Sequence, residues 1–347
     1  MQTKLWTVDN YVDNANSYPQ LEEAAHLLQQ NQVVAFPTET VYGLGANARD
    51  NEAVKKIFEA KGRPSDNPLI VHIASKEQLA SIIDEIPGMT HTLMDQFWPG
   101  PLTLIFKKKE GALSDAVTAG LETVAVRMPS HPLALKLIEK SGLPIAAPSA
   151  NTSGKPSPTT AGHVYKDLNG KIAGIVDGGP TGVGVESTVL DCTGPIPVIL
   201  RPGGVTKEQI EEVIGPVSLD TALSDEKQAP RSPGMKYTHY APRAELSLVS
   251  GSREFIQSLV NAKKAEGFRV GVLTTEENQR YYDADYVLSA GRREQLESVA
   301  SGLYFTLRQF DDLDVELIFS EVFPVEGIGQ AIMNRLSKAA GGRLIQE

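Results

Sequence analysis

Four cations in the first two thirds of the chain stand at loop junctions. Lys61 and Arg63 follow a helical stretch and precede Pro64, Arg127 interrupts an apolar run, and Arg201 ends another. Each has Pro, Gly or Ser close by. Together they could neutralise a polyphosphate and grip a carboxylate, because a guanidinium offers parallel donors to paired oxygens. A single arginine at a strand end is more often a rim salt bridge, and only the grouping shifts that balance. Ser149, Ser153, Ser157 and Ser187, with neighbouring backbone N–H groups, could donate to phosphate oxygens. Ser, Asn, Gly and Pro also build turns for their own reasons. Glu39 and Glu186 lie in polar loops, where a carboxylate serves as a base, a metal ligand or simply a solvated or capping group. His72 sits in the apolar run LIVHIA and reads as a satisfied core histidine.

Several familiar chemistries have no counterpart. GLGANA (Gly43–Ala48) fits G-x-G-x-x-A, but TETVY separates it from the preceding strand and no acidic residue is placed to hold a ribose. GxxxxGK[ST] is absent, and so are GxSxG, HExxH and CxxC. A P-loop, a nucleophile elbow and a zinc centre are therefore disfavoured.

The elements that must carry these residues alternate between apolar strand-like runs and helical ones. VVAF (Val33–Phe36) is followed by the helical EAVKKIFEAK (Glu52–Lys61). LIVHIA, LTLIF, TVAVRM, PIAAP, AGIVDG, STVLD and PVILR read as strands, and PLALKLIEKS (Pro132–Ser141) as a helix. Polar loops punctuate them: FPTETVYGLGANA, AKGRPSDNPL, VRMPSHP, APSANTSGKPSP, VGVESTVLD and LRPGG. Loops held by a rigid sheet are the usual seat of function. The strands are too many and too tightly spaced for a purely parallel sheet, so residues 1–214 read as an α/β domain with an open, twisted mixed sheet. Residues 215–244 read as a linker, polar at first and then dense in Lys236, Tyr237, His239 and Tyr240. Residues 245–347 alternate strand and helix four times, which points to a second, smaller doubly wound α/β domain, Rossmann-like, with a mainly parallel sheet.

The bulk composition narrows the classes further. A length of 347 residues suits two domains. The net charge of −10 argues against a protein that coats nucleic acid generally. The single Cys192 excludes an internal disulfide and fits a reducing compartment. No basic-then-apolar leader opens the chain, and no apolar run reaches the roughly 20 residues of a membrane span. A cytoplasmic location is the expectation.

PTETVYGLGANA, KGRPSDNPL, FWPGPLT, VAVRMPSHP, APSANTSG, ESTVLD and RPGG occur in that order, followed by SPGMKYTHYAP (Ser232–Pro242). This series closely resembles the threonylcarbamoyl-AMP synthases of the YrdC type, in their long two-domain form. The match covers about residues 20 to 242; beyond Pro242 only length and α/β order agree. The resemblance implies that L-threonine, bicarbonate and ATP give L-threonylcarbamoyladenylate, pyrophosphate and water. A downstream tRNA threonylcarbamoyl transferase complex would pass the group to an adenosine beside the anticodon. It implies magnesium with the ATP, held mostly by phosphate oxygens and water, and no protein metal site. By matching positions, Lys61 and Arg63 look catalytic. Arg63, Asn67, Thr123, Ser149, Ser157, Arg201 and the lid residue Tyr237 look like ATP contacts. Thr38, His72, Arg127, Ala147 and Ser187 resemble the threonine pocket, with Arg127 on the carboxylate and Ala147 offering backbone only. No covalent enzyme intermediate is required, so the missing nucleophile is no objection.

Two other classes compete. An RNA-binding maturation module without catalysis is opposed by the acidic charge, and a carbamoyltransferase relative by the single cysteine.

Overall fold

A computed structural model describes residues 2–8, 18–65, 67–223 and 239–347. Within them two compact units separate. The larger takes residues 2–153, 158–182 and 186–223, and the smaller takes residues 154–157, 183–185 and 239–347.

The larger unit is a mixed sheet. Its strands are Lys4–Thr7 (β1), Val34–Phe36 (β2), Gly43–Asn47 (β3), Ile70–His72 (β4), Leu102–Lys107 (β5) and Thr123–Arg127 (β6). Ile145–Ala146 (β7), Gly174–Asp177 (β8), Thr188–Asp191 (β9), Val198–Arg201 (β10) and Ser218–Leu219 (β11) complete it. They lie in the order β1-β8-β2-β3-β7-β4-β6-β5-β9-β10-β11. β4 and β6 are parallel, as are β5 and β9, whereas β5 runs antiparallel to β6 and β10 to β9. The last strand lies inside the stretch expected to be linker.

The central strands are apolar throughout because both their faces are covered. Ala35 packs into one core with Leu44, Ile57 and Val71, while Val34 and Phe36 face a second with Leu21, Leu137 and Ile145. GLGANA is a strand, not a phosphate loop. A Cβ on Gly45 would sit 2.7 Å from the Phe36 ring and 2.9 Å from Ile145, so close packing explains that glycine.

The smaller unit is parallel throughout. Glu245–Ser250 (β12), Val270–Thr274 (β13), Tyr286–Ser289 (β14), Leu317–Glu321 (β15) and Leu344–Gln346 (β16) are ordered β14-β13-β15-β12-β16. Helix Arg253–Ala265 links β12 to β13, Leu296–Phe310 links β14 to β15, and Gly329–Ala339 links β15 to β16. β13 passes to β14 with no helix between them, so the strict strand–helix alternation expected from the sequence is broken there.

Candidate active site

The site face follows from strand register. Ile70 pairs with Ala125 and His72 with Arg127 across β4 and β6, and Leu104 pairs with Val126 across β5 and β6. Side chains alternate between faces. Val124 and Val126 therefore enter the main core, while Ala125 joins Ile70, Ile105, Val189 and Leu200 in a small apolar patch on the opposite side. Thr123 and Arg127 fall on the face of Ala125. At the edge of this patch the strands end, and polar groups take over.

Arg127 is 3% exposed, and its guanidinium is organised by two loops. Nε donates to the Gly100 carbonyl at 3.2 Å and Nη1 to Thr40 Oγ1 at 2.8 Å. Nη2 lies 2.6 Å from Glu39 Oε1. Thr38, expected to face threonine, spends its hydroxyl on its own turn. It donates to the Val41 carbonyl at 2.6 Å and accepts from the amides of Thr40 and Val41. Thr40 meets Arg127 instead, and the sequence reading did not single it out.

His72, the register partner of Arg127, is buried and meets Phe36 edge-on, ring centroids 6.2 Å apart. Burial, and then the Arg127 charge, push its pKa down to about 3. It is a neutral imidazole at physiological pH.

Ser187 and Arg201 close the other side. Ser187 Oγ lies 2.8 Å from Thr103 Oγ1, joining β5 to the start of β9. Arg201, 4% exposed at the end of β10, donates to the Ser187 carbonyl from Nε and Nη2 and to Ser187 Oγ from Nη2 at 3.2 Å. His72, Arg127, Thr103, Ser187 and Arg201 thus form a polar rim over five neighbouring strands.

A second cluster surrounds the end of helix Asn51–Lys61. Asp50 caps that helix through the Ala53 amide at 2.7 Å, and Gly62 closes it with φ of 68°, which favours glycine. Lys61 is 1% exposed, and its ammonium donates to the carbonyls of Ser149 and Asn151. The Ser153 amide returns a bond to the Lys61 carbonyl at 3.0 Å. Lys61 therefore pins the Ser149–Ser153 loop, a structural part the sequence did not disclose. Arg63 follows, half-buried, with its guanidinium 5.4 Å from the Phe58 ring centre. Asn67 is 1% exposed, and its Nδ2 finds no acceptor among the described residues.

The remaining expected positions are spread more widely. Thr123 lies at the far end of β6 from Arg127, and the Ala147 amide bonds the Ile70 carbonyl at 2.9 Å. Ser149 donates to Asn151 Oδ1 at 2.5 Å. Ser157 is buried and grouped with the smaller unit. Tyr237 lies outside the described residues. Chemically, the larger unit offers one carboxylate-gripping guanidinium beside a neutral imidazole, and separate amide, hydroxyl and cationic donors of the kind that phosphates take.

A family model described as telomere recombination (Sua5/YciO/YrdC) matches residues 26–203, and one described as the threonylcarbamoyl-AMP synthase C-terminal domain matches residues 205–341. The chain belongs to this family. A threonylcarbamoyl-AMP synthase of Bacillus subtilis is 64% identical over 346 residues, covering 100% of both chains. One from Pyrococcus abyssi is 52% identical over 93% of this chain and 94% of its own. The crystal structure of P. abyssi Sua5 complexed with L-threonine superposes with a TM-score of 0.93 at 50% identity, covering 99% of this chain and 100% of that one. The long two-domain form is thus matched end to end, including the smaller unit, for which the sequence had supplied only length and α/β order.

Proposed function

We propose that this chain is an enzyme that makes L-threonylcarbamoyladenylate from L-threonine, bicarbonate and ATP with release of pyrophosphate, for the threonylcarbamoyladenosine modification of tRNA. The end-to-end likeness to threonylcarbamoyl-AMP synthases carries the reading. The threonine-bound P. abyssi relative supports amino-acid use.

The polar rim suits that chemistry. Arg127 would take the threonine carboxylate, with Thr40 and Gly100 holding the guanidinium in place. Ser187 and Ala147 would bound the same pocket, and neutral His72 would offer a hydrogen bond without a competing charge. Arg63, Asn67, Ser149, Ser157, Thr123, Arg201 and Tyr237 would take the nucleotide, and the unpartnered Asn67 Nδ2 is the best-supported of these. Positioning and charge stabilisation account for the catalysis, with Lys61 acting through the loop it holds.

Among the described residues no group of three or more His, Cys, Asp or Glu is arranged to hold a metal. The proposed reaction would bring magnesium as part of the ATP substrate, on phosphate oxygens and water. No described helix is long and apolar enough to cross a membrane, and we assign the enzyme to the cytoplasm with a tRNA threonylcarbamoyl transferase complex downstream. The test is pyrophosphate release in purified protein. It should require threonine and bicarbonate together, and release independent of threonine would overturn the assignment.

A further inference from the structure

We propose that Glu39 receives the amino group of the bound amino acid and takes the proton that must leave it before the carbamate forms. The inference rests on the threonine-using reaction above. Glu39 is the carboxylate seen on Arg127 Nη2, at 2.6 Å, with side-chain exposures of 14% and 4% for Glu39 and Arg127. Beyond that ion pair the Glu39 and Ser130 amides approach the carboxylate, but neither oxygen accepts a well-aligned hydrogen bond among the described residues. A buried anion and cation in contact match the two charges of a zwitterion. The substrate carboxylate takes the Arg127 fork, and the substrate ammonium meets the carboxylate that the fork releases.

That exchange also changes Glu39 as a base. Burial pushes its carboxyl up, but the Arg127 charge, aided by the nearby amides of Glu39 and Ser130, outweighs burial and holds it below the ordinary value. Once a substrate carboxylate shares Arg127, burial gains weight and Glu39 becomes more basic at the moment an ammonium stands beside it. The neighbouring imidazoles are poorly suited. His72 has its pKa down near 3. Burial also lowers His131, whose Nδ1 caps the following helix by accepting from the Leu133 amide at 3.2 Å.

The step balances. One ammonium proton moves to a Glu39 oxygen, and the freed nitrogen lone pair forms the C–N bond to the bicarbonate carbon. The carbon–hydroxyl bond breaks, and the hydroxide leaves as water with a second nitrogen proton. The carbamate anion remains.

Glu39→Gln keeps the shape and removes the base. With ATP and bicarbonate saturating, its kcat should fall by about 100-fold or more, with the KM for ATP changed by no more than about twofold. The residual rate should climb about tenfold per pH unit through neutrality, because threonine must then arrive already deprotonated. A kcat within about threefold of the parent, or a threonine KM effect with an unaltered pH profile, would overturn the proposal. Should Glu39→Gln fail to fold, the parent enzyme decides. An analogue of threonine with hydroxyl in place of the amine should bind about tenfold more weakly than threonine, and equal binding refutes the contact. Absence of threonine dependence in the parent would instead remove the functional reading, a distinct failure.

Discussion

Arg201 grips Ser187 from a neighbouring strand, donating to its carbonyl from Nε at 3.2 Å and from Nη2 at 2.9 Å. A guanidinium expected to serve the nucleotide is therefore tied to the backbone of a residue expected to serve the amino acid. The two halves of the site share one support.

Arg201→Lys tests that coupling. Lysine cannot supply two donors in a fixed fork. The KM for threonine and the KM for ATP should rise together, each by about tenfold or more, for a loss of roughly 1.4 kcal/mol. Steady-state kinetics with each substrate varied in turn measures both. A rise confined to ATP would make Arg201 a nucleotide contact without the supporting part.

How much of this was legible beforehand varies with the physics involved. Apolar runs such as LIVHIA and TVAVRM announced buried strands because both faces of β4 and β6 are covered. The α/β class and parallel sheet of the smaller unit were equally visible, but not the direct passage from β13 to β14. Lys4–Thr7, Gly43–Asn47 and Leu344–Gln346 were not. Two are short with exposed residues, and the third is glycine-rich because Phe36 and Ile145 leave no room for a Cβ on Gly45. The site residues were legible as a motif series, but their partners were not. Nothing local tells that Thr38 folds into its own turn while Thr40 meets Arg127, since hydrogen-bond partners 87 residues apart follow from register.

Lys61→Met isolates the role of the buried ammonium. Methionine fills much of the volume but leaves the carbonyls of Ser149 and Asn151 without their donor. Each buried acceptor so orphaned costs about 1–3 kcal/mol. The variant should lose roughly 2–6 kcal/mol in urea unfolding and lose adenylate formation with it. Unchanged stability with lost activity would instead make Lys61 a direct substrate contact.

His72 carries a pH signature in stability. Its folded pKa near 3 lies below the ordinary histidine value of 6.5. Between those two values the unfolded chain binds the extra proton, so stability is whole above about pH 6.5 and falls as pH drops toward 3. Over that window the folding constant should fall by up to about tenfold per pH unit from this group alone. Comparing unfolding midpoints of the parent and His72→Asn at pH 7 and pH 5 should show a steeper acid loss in the parent. Equal slopes would mean the imidazole is hydrated or already charged.

Gly203 stands where the chain passes closest to the Ser187 loop. A Cβ there would lie 2.3 Å from the Glu186 carbonyl oxygen and 2.4 Å from the Thr188 nitrogen. Both are backbone atoms on either side of Ser187, at the entry to β9, so relief requires moving the segment that holds Ser187. Gly203→Ala should therefore cost about 1–3 kcal/mol of stability. It should also cut adenylate formation by about 100-fold, because an ångström of misplacement at a positioning residue is enough. Gly62→Ala supplies the contrast. Its φ of 68° strains an alanine, but beyond its chain neighbours no heavy atom lies within 4 Å of the added carbon, so it should lose stability without that loss of rate. Equal kinetic damage in the two variants would argue that backbone strain, and not displacement of Ser187, limits the reaction.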